Sequence, residues 1–142
     1  MKTKEKSLTR NWELIHLAPK GDGQGKLIAI QQKVDVPFKI KRAYFIYNTL
    51  EGIHRGFHAH KNLSQILIAV SGSCEVIVDN GNTQEKYKLN KPTKGLVIHN
   101  LIWREMYNFS SDCVLLVLAN EYYTPDDYIR DYDQFLSLSE SI

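Results

Sequence analysis

The sequence predicts an all-β fold, a small antiparallel domain closed as a double-stranded jelly roll with one short helix at its C-terminus. Two observations predict it. Short β-branched and aromatic runs recur along most of the chain with turn residues between them, the pattern of a sandwich or barrel. One of those runs also carries a His-x-His pair, which puts two imidazoles on one face of a strand. The expected strands, in order, are residues 27–31, 40–47, 56–60, 65–70, 74–79, 83–89, 95–98, 103–109 and 113–120. Ser71-Gly72-Ser73 joins two of them. Asp79-Asn80-Gly81 joins two more, Asn-Gly supplying the positive φ that tight hairpins need. The C-terminus changes character. Thr124 suits a helix cap, Pro125 a first helical position, and Asp126 and Asp127 a first turn. Ile129, Tyr132 and Leu136 then recur at helical spacing. Closing the strands into a jelly roll removes most sheet edges.

The 142 residues are the size of one ordinary domain, and nothing divides residues 1–142: no repeat, no low-complexity tract, no Pro/Gly/Ser linker. Residues 1–10 are basic without an apolar stretch behind them, so they read as a flexible N-terminus, not a secretory signal. A net charge of +2 without a basic cluster argues against nucleic-acid and membrane partners. No apolar run is long enough to span a bilayer. Cys74 and Cys113 lie inside apolar runs, as buried reduced thiols of a cytoplasmic protein would.

The chemistry concentrates around GIHRGFHAH. His58 and His60 share a strand face while Phe57 and Ala59 take the other. Gly52, His58, His60 and Gly72 keep the spacing of the first cupin motif, but Gln65 stands where that motif has its Glu. The second cupin motif places a third His three residues ahead of an Asn. Here Asn108 is in place and Arg104 occupies the histidine position. Two of four usual metal ligands are therefore gone. An amide oxygen is a weak ligand, and a guanidinium has no lone pair to give and stays cationic. No metal and no other cofactor is expected. What remains is acid–base chemistry on an anionic or carbonyl substrate. Imidazole titrates near the working pH, Arg104 suits an oxyanion, Gln65 offers a neutral amide, and Tyr44 suits a phenolic donor.

KRAYFIY, RGFHAHK, QILIAVSGSCEVIVDNG, IWREM, FSSDCVLLVLANEYY and DYIRDYDQF together resemble the sugar 3,4-ketoisomerases, over residues 27–135. These cupins act on dTDP-4-oxo-6-deoxy-glucose and supply 3-oxo sugars that become 3-amino sugars of surface glycans such as lipopolysaccharide O-antigen. The resemblance implies a metal-free isomerase, a dTDP-linked 4-oxo-6-deoxy sugar as ligand, and a cytoplasmic homodimer with exchanged N-terminal strands. It also implies that His58 is the base and Tyr44 its partner acid. His60 would serve as proton shuttle or donor to sugar oxygens, and Arg55 would meet the diphosphate. The family divides by the face on which C4 is reprotonated. Arg104 after Trp103 matches the branch with an equatorial, gluco-like product, whereas Gln24 in the early loop matches neither branch.

Three other functions are compatible with a barrel of this kind. An RmlC-like epimerase would invert C5 or C3 and leave the ketone at C4. A metal-dependent cupin would hold a cation between the histidines. A sugar-nucleotide-binding module would bind without turnover, a role that needs no pair of titratable imidazoles at one point.

Overall fold

The computed structural model describes residues 11–140, so the expected flexible segment 1–10 lies outside the described residues. It contains twelve strands and one helix: β1 (Trp12–His16), β2 (Lys20–Asp22), β3 (Gly25–Leu27), β4 (Arg42–Tyr47), β5 (Arg55–His60), β6 (Gln65–Ser71), β7 (Cys74–Asp79), β8 (Gln84–Leu89), β9 (Lys94–Ile98), β10 (Trp103–Tyr107), β11 (Val114–Ala119), β12 (Tyr128–Ile129) and α1 (Tyr132–Glu140). Two five-stranded sheets, ordered β1-β9-β6-β11-β4 and β12-β5-β10-β7-β8, face each other, and β2-β3 forms a separate hairpin. All pairings between strands are antiparallel. This is the expected all-β jelly roll of cupin type with a short C-terminal helix.

The period of two explains which side chains fill the barrel. Leu67 and Ala69, Val76 and Val78, Leu96 and Ile98, and Leu115 and Val117 point inward into one core, with both cysteines, free and buried, among them. The alternate residues Ile66, Ile68, Val97 and Leu118 point outward from the first sheet. There Leu17, Val36 and Phe38 cover them. β6 is therefore apolar on both faces, which is why QILIAV reads as a continuous run. On the outer side of the second sheet, Ala59 and Trp103 are covered by Ile129 and by Phe135 of α1.

Three local features differ from the sequence expectation. β1 was not expected, because WELIH is a short, mixed run with only Trp12 buried. It is held by register, Trp12 opposite Ile98, and by the Trp12 indole donating to Glu85 at 2.8 Å. The strand expected over 27–31 is only the end of the β3 hairpin arm. The helix expected from Pro125 begins at Tyr132 instead. Pro125–Asp127 forms one 3₁₀ turn with no side-chain cap from Thr124, and Tyr128 and Ile129 pair with His60 and Ala59. The free edge of β5 offers this segment ladder bonds that a helix there would forgo.

β5 itself is irregular. Its register against β10 jumps from Gly56–Glu105 to His58–Arg104, leaving Phe57 as an extra residue. Gly56 has φ 93 and Phe57 φ 57. A Cβ on Gly56 would meet the Arg104 carbonyl oxygen at 2.8 Å, so both the dihedral and the close approach require glycine there.

Candidate active site

The inward side chains of β4, β5, β6 and β10 meet at one end of the barrel. His58 and His60 stand edge-on, centroids 4.8 Å apart. Tyr128 leans on both, at 5.0 and 4.5 Å. An open cavity of about 350 Å³ is lined by Arg42, Tyr44, Arg55, His58, Met106 and Tyr128, among others. Of the residues expected from sequence, Tyr44, Arg55 and His58 line this cavity. His60, Gln65 and Arg104 lie beneath it, each no more than 2% exposed. Gln24 lies elsewhere: it is an exposed turn residue of the β2–β3 hairpin, with its N–H on Asp22, and is not among the cavity residues.

A connected polar chain runs under the cavity. Arg104 Nη1 donates to Gln65 Oε1 at 2.6 Å and Nη2 to the Ile102 carbonyl at 2.9 Å. Because a guanidinium can only donate, the Gln65 oxygen must face it, and the Gln65 nitrogen must face Tyr44. That nitrogen donates to the Tyr44 hydroxyl oxygen at 3.1 Å. Tyr44 therefore accepts at its oxygen from inside the barrel, and its own proton is free for the cavity. Gln65 and Arg104, expected from sequence to meet the substrate, are thus joined in a chain to the phenol.

The electrostatics follow from burial beside a cation. Burial, then the Arg104 charge, lowers the His58 pKa to about 4. The same two causes lower that of His60, whose Nδ1 lies 2.9 Å from Asp127 Oδ2. Burial next to Arg104 keeps this imidazole neutral at pH 7. Arg104 is itself lowered by burial to about 10 and remains cationic at pH 7. Burial raises Tyr44, against the opposing pull of the Gln65 bond and the Arg104 charge.

The same cation decides the metal question. His58 pairs across the sheet with Arg104, so a metal between the two imidazoles would meet a fixed positive charge where a third ligand is needed. Among the described residues no group of three or more His, Cys, Asp or Glu side chains could hold a metal ion. These residues do not fit a metal centre.

Three contributors were not expected from sequence. Arg42 lies over the Tyr44 ring at 5.3 Å and lines the cavity. Its signal was available, since Arg42 and Tyr44 are two apart on one strand. Asp127 and Tyr128 come from a segment read as helical, 67 residues from His60 for the Asp127 bond, and no local pattern announces that contact.

Residues 10–140 match one family model, described as "WxcM-like, C-terminal". The chain belongs to this family. A curated relative from Aneurinibacillus thermoaerophilus, TDP-4-oxo-6-deoxy-alpha-D-glucose-3,4-oxoisomerase, is 49% identical over 114 residues, covering 80% of this chain and 82% of that protein. The WlaRB TDP-quinovose 3,4-ketoisomerase from Campylobacter jejuni is 48% identical with TM-score 0.87, covering 90% of this chain and 98% of that one. The WlaRA TDP-fucose-3,4-ketoisomerase from the same organism is 44% identical with TM-score 0.89, covering 93% and 98%. Among the described residues of this WxcM-like chain no helix is long and apolar enough to cross a membrane.

Proposed function

We propose that the protein is a sugar-nucleotide 3,4-ketoisomerase that converts dTDP-4-oxo-6-deoxy-glucose to the 3-oxo isomer without a metal. The observation that carries this reading is a neutral imidazole and a phenol with an available proton lining one cavity, over a buried cation. A ketone at C4 acidifies the proton on C3. His58 removes it, and Tyr44 donates to the oxygen at C4 as the enediol forms. C4 then takes a proton from solvent on the opposite face, His58 gives its proton up to solvent, and the O3 hydroxyl proton passes back to Tyr44 as the ketone settles at C3. A depressed pKa suits His58 to this task, because the imidazole is unprotonated at working pH and becomes charged only in passing. The buried Arg104 steadies negative charge on Tyr44 through Gln65. Arg42 and Arg55 at the cavity suit the diphosphate.

The product is the gluco-configured 3-oxo sugar. H3 and H4 lie on opposite faces of a gluco ring, so C4 is reprotonated on the face away from His58, and Arg104, which cannot readily donate a proton, takes no part in that step. The protein works as a cytoplasmic homodimer that exchanges its N-terminal strands, and its product feeds 3-amino sugars of surface glycans. Exchange would keep the β1–β9 register while replacing one copy's β1 by the other's. Exposed Phe45 and Tyr47 on edge strand β4 give a second copy an apolar surface. Light scattering on the purified protein checks this, with a monomer as the contrary result.

The test is to incubate the protein with dTDP-4-oxo-6-deoxy-glucose in deuterated buffer, trap the product with a 3-aminotransferase, and solve it by NMR. The expected product carries its amine at C3. Deuterium at C5 with the ketone still at C4 would instead make the protein an epimerase, and binding without exchange would make it a non-catalytic module.

A further inference from the structure

We infer that Asp127 is a positioning residue that fixes His60 in the one neutral tautomer whose Nε2 accepts a proton; its catalytic part rests on the ketoisomerase reading above. A carboxylate oxygen can only accept, so at 2.9 Å the His60 Nδ1 must be the donor. A neutral imidazole carries one ring proton, so Nε2 holds a lone pair. That atom is buried and has no partner.

Asp127 is built in. Its other oxygen accepts the Asn62 N–H at 2.8 Å, and its carbonyl accepts the Lys61 N–H at 2.9 Å. Asp127 is therefore tied, by its carboxylate to Asn62 and by its backbone to Lys61, to the two residues that follow His60. Tyr128, the next residue, pairs with His60 and lies against its ring. One short segment thus sets the position, the tilt and the protonation pattern of a single imidazole.

The reaction explains why an acceptor is needed. Moving the ketone from C4 to C3 shifts two protons, one from C3 to C4 and one from O3 to O4. His58 takes the proton from C3 and gives it up to solvent, which supplies C4 on the other face. For the second, Tyr44 gives its proton to O4 and His60 Nε2 takes the one leaving O3. Passage of that proton from His60 back to Tyr44 restores both groups, so nothing is gained or lost over a turnover. His60 with its proton on Nε2 could not accept at all. His60 is thus an acceptor in its resting state, not a donor to sugar oxygens.

The experiment uses full-length protein labelled with ¹⁵N-histidine. Long-range ¹H–¹⁵N correlation reports which ring nitrogen is protonated, and loss of a signal in His60→Gln assigns it. The wild type should carry the proton on Nδ1. In Asp127→Asn the amide oxygen can keep the Asn62 N–H while its nitrogen donates to Nδ1, so the proton should move to Nε2. Turnover should then fall by roughly two to four decades, as a wrong tautomer causes, with KM nearly unchanged. A wild-type proton on Nε2, an unmoved proton in Asp127→Asn, or a moved proton with full turnover would each overturn the inference. If Asp127→Asn does not fold, the wild-type tautomer decides alone. That measurement needs no substrate. A wild type with Nδ1–H that leaves the 4-oxo sugar unconverted thus refutes the ketoisomerase reading and not the tautomer.

Discussion

Gln65 separates stability from activity more sharply than any other position in the barrel. It is 2% exposed, accepts from Arg104 at 2.6 Å and donates to Tyr44 at 3.1 Å. Gln65→Leu keeps the volume and removes both bonds. Arg104, already lacking a partner for its Nε, would lose a second donor contact. A bond to a charged group contributes about 1.5–3 kcal/mol and the neutral bond to Tyr44 about 1 kcal/mol. The apolar side chain returns roughly 1 kcal/mol of burial. The expected loss is about 1.5–3 kcal/mol, which for a chain of this size lowers Tm by roughly 5–10 °C. Gln65→Glu behaves differently. Its carboxylate still accepts from Arg104, but it cannot donate to Tyr44, and it draws the phenol proton away from the cavity. Stability should stay within about 1 kcal/mol, because charge pairing and desolvation offset each other. Turnover should fall by one to three decades, roughly the effect of losing a preorganised donor. Urea denaturation followed by tryptophan fluorescence gives the first quantity and NMR of product formation the second. A Gln65→Leu protein as stable as wild type, or a fully active Gln65→Glu protein, would refute the relay.

Further expectations concern the groups at the cavity. Tyr44→Phe should slow turnover by roughly one to three decades with the nucleotide still bound, and His58→Asn should abolish nearly all of it; calorimetry with dTDP and the NMR assay separate binding from rate. Because the His58 pKa is lowered to about 4, the acid limb of kcat/KM should fall near pH 4 and not near 6.5. The same shift makes stability pH-dependent. Between pH 6.5 and 4 the unfolded chain binds protons at His58 and His60 that the folded chain refuses, so stability should fall as pH falls through that window; a urea midpoint that rises between pH 7 and pH 5 would contradict it. Arg104→His, alone or with Gln24→Arg, should move the product toward the axial epimer, and an unchanged NMR product under both would discredit the stereochemical assignment.

Much of this was legible in the chain. Alternating burial in β7, β8 and β11 is written directly in CEVIVD, QEKYKL and VLLVLA, so the all-β fold follows from the period of two. His58, Tyr44 and Arg55 were visible because a strand face and a motif spacing are local properties. The network was less so. That Gln65 links Arg104 to Tyr44 depends on which atoms face inward across three strands. The C-terminal segment misled for a related reason. Pro125 and two aspartates favour a helix start, but pairing with β5 outweighs a propensity worth a few tenths of a kilocalorie per residue, or about that. Asp127 could not have been found without that pairing.

The extra residue in β5 has a consequence of parity. Arg55 and His58 are an odd number of positions apart, and in an uninterrupted strand they would look in opposite directions. Both line the same cavity because Phe57 consumes one step of the alternation without a partner on β10. Flattening the bulge, with Phe57 taking an ordinary place in the ladder, would leave both imidazoles where they are and turn the guanidinium of Arg55 toward the outside. The barrel would keep its proton-moving machinery and lose one of its two handles for an anion, a division of labour set by counting and not by the identity of any side chain.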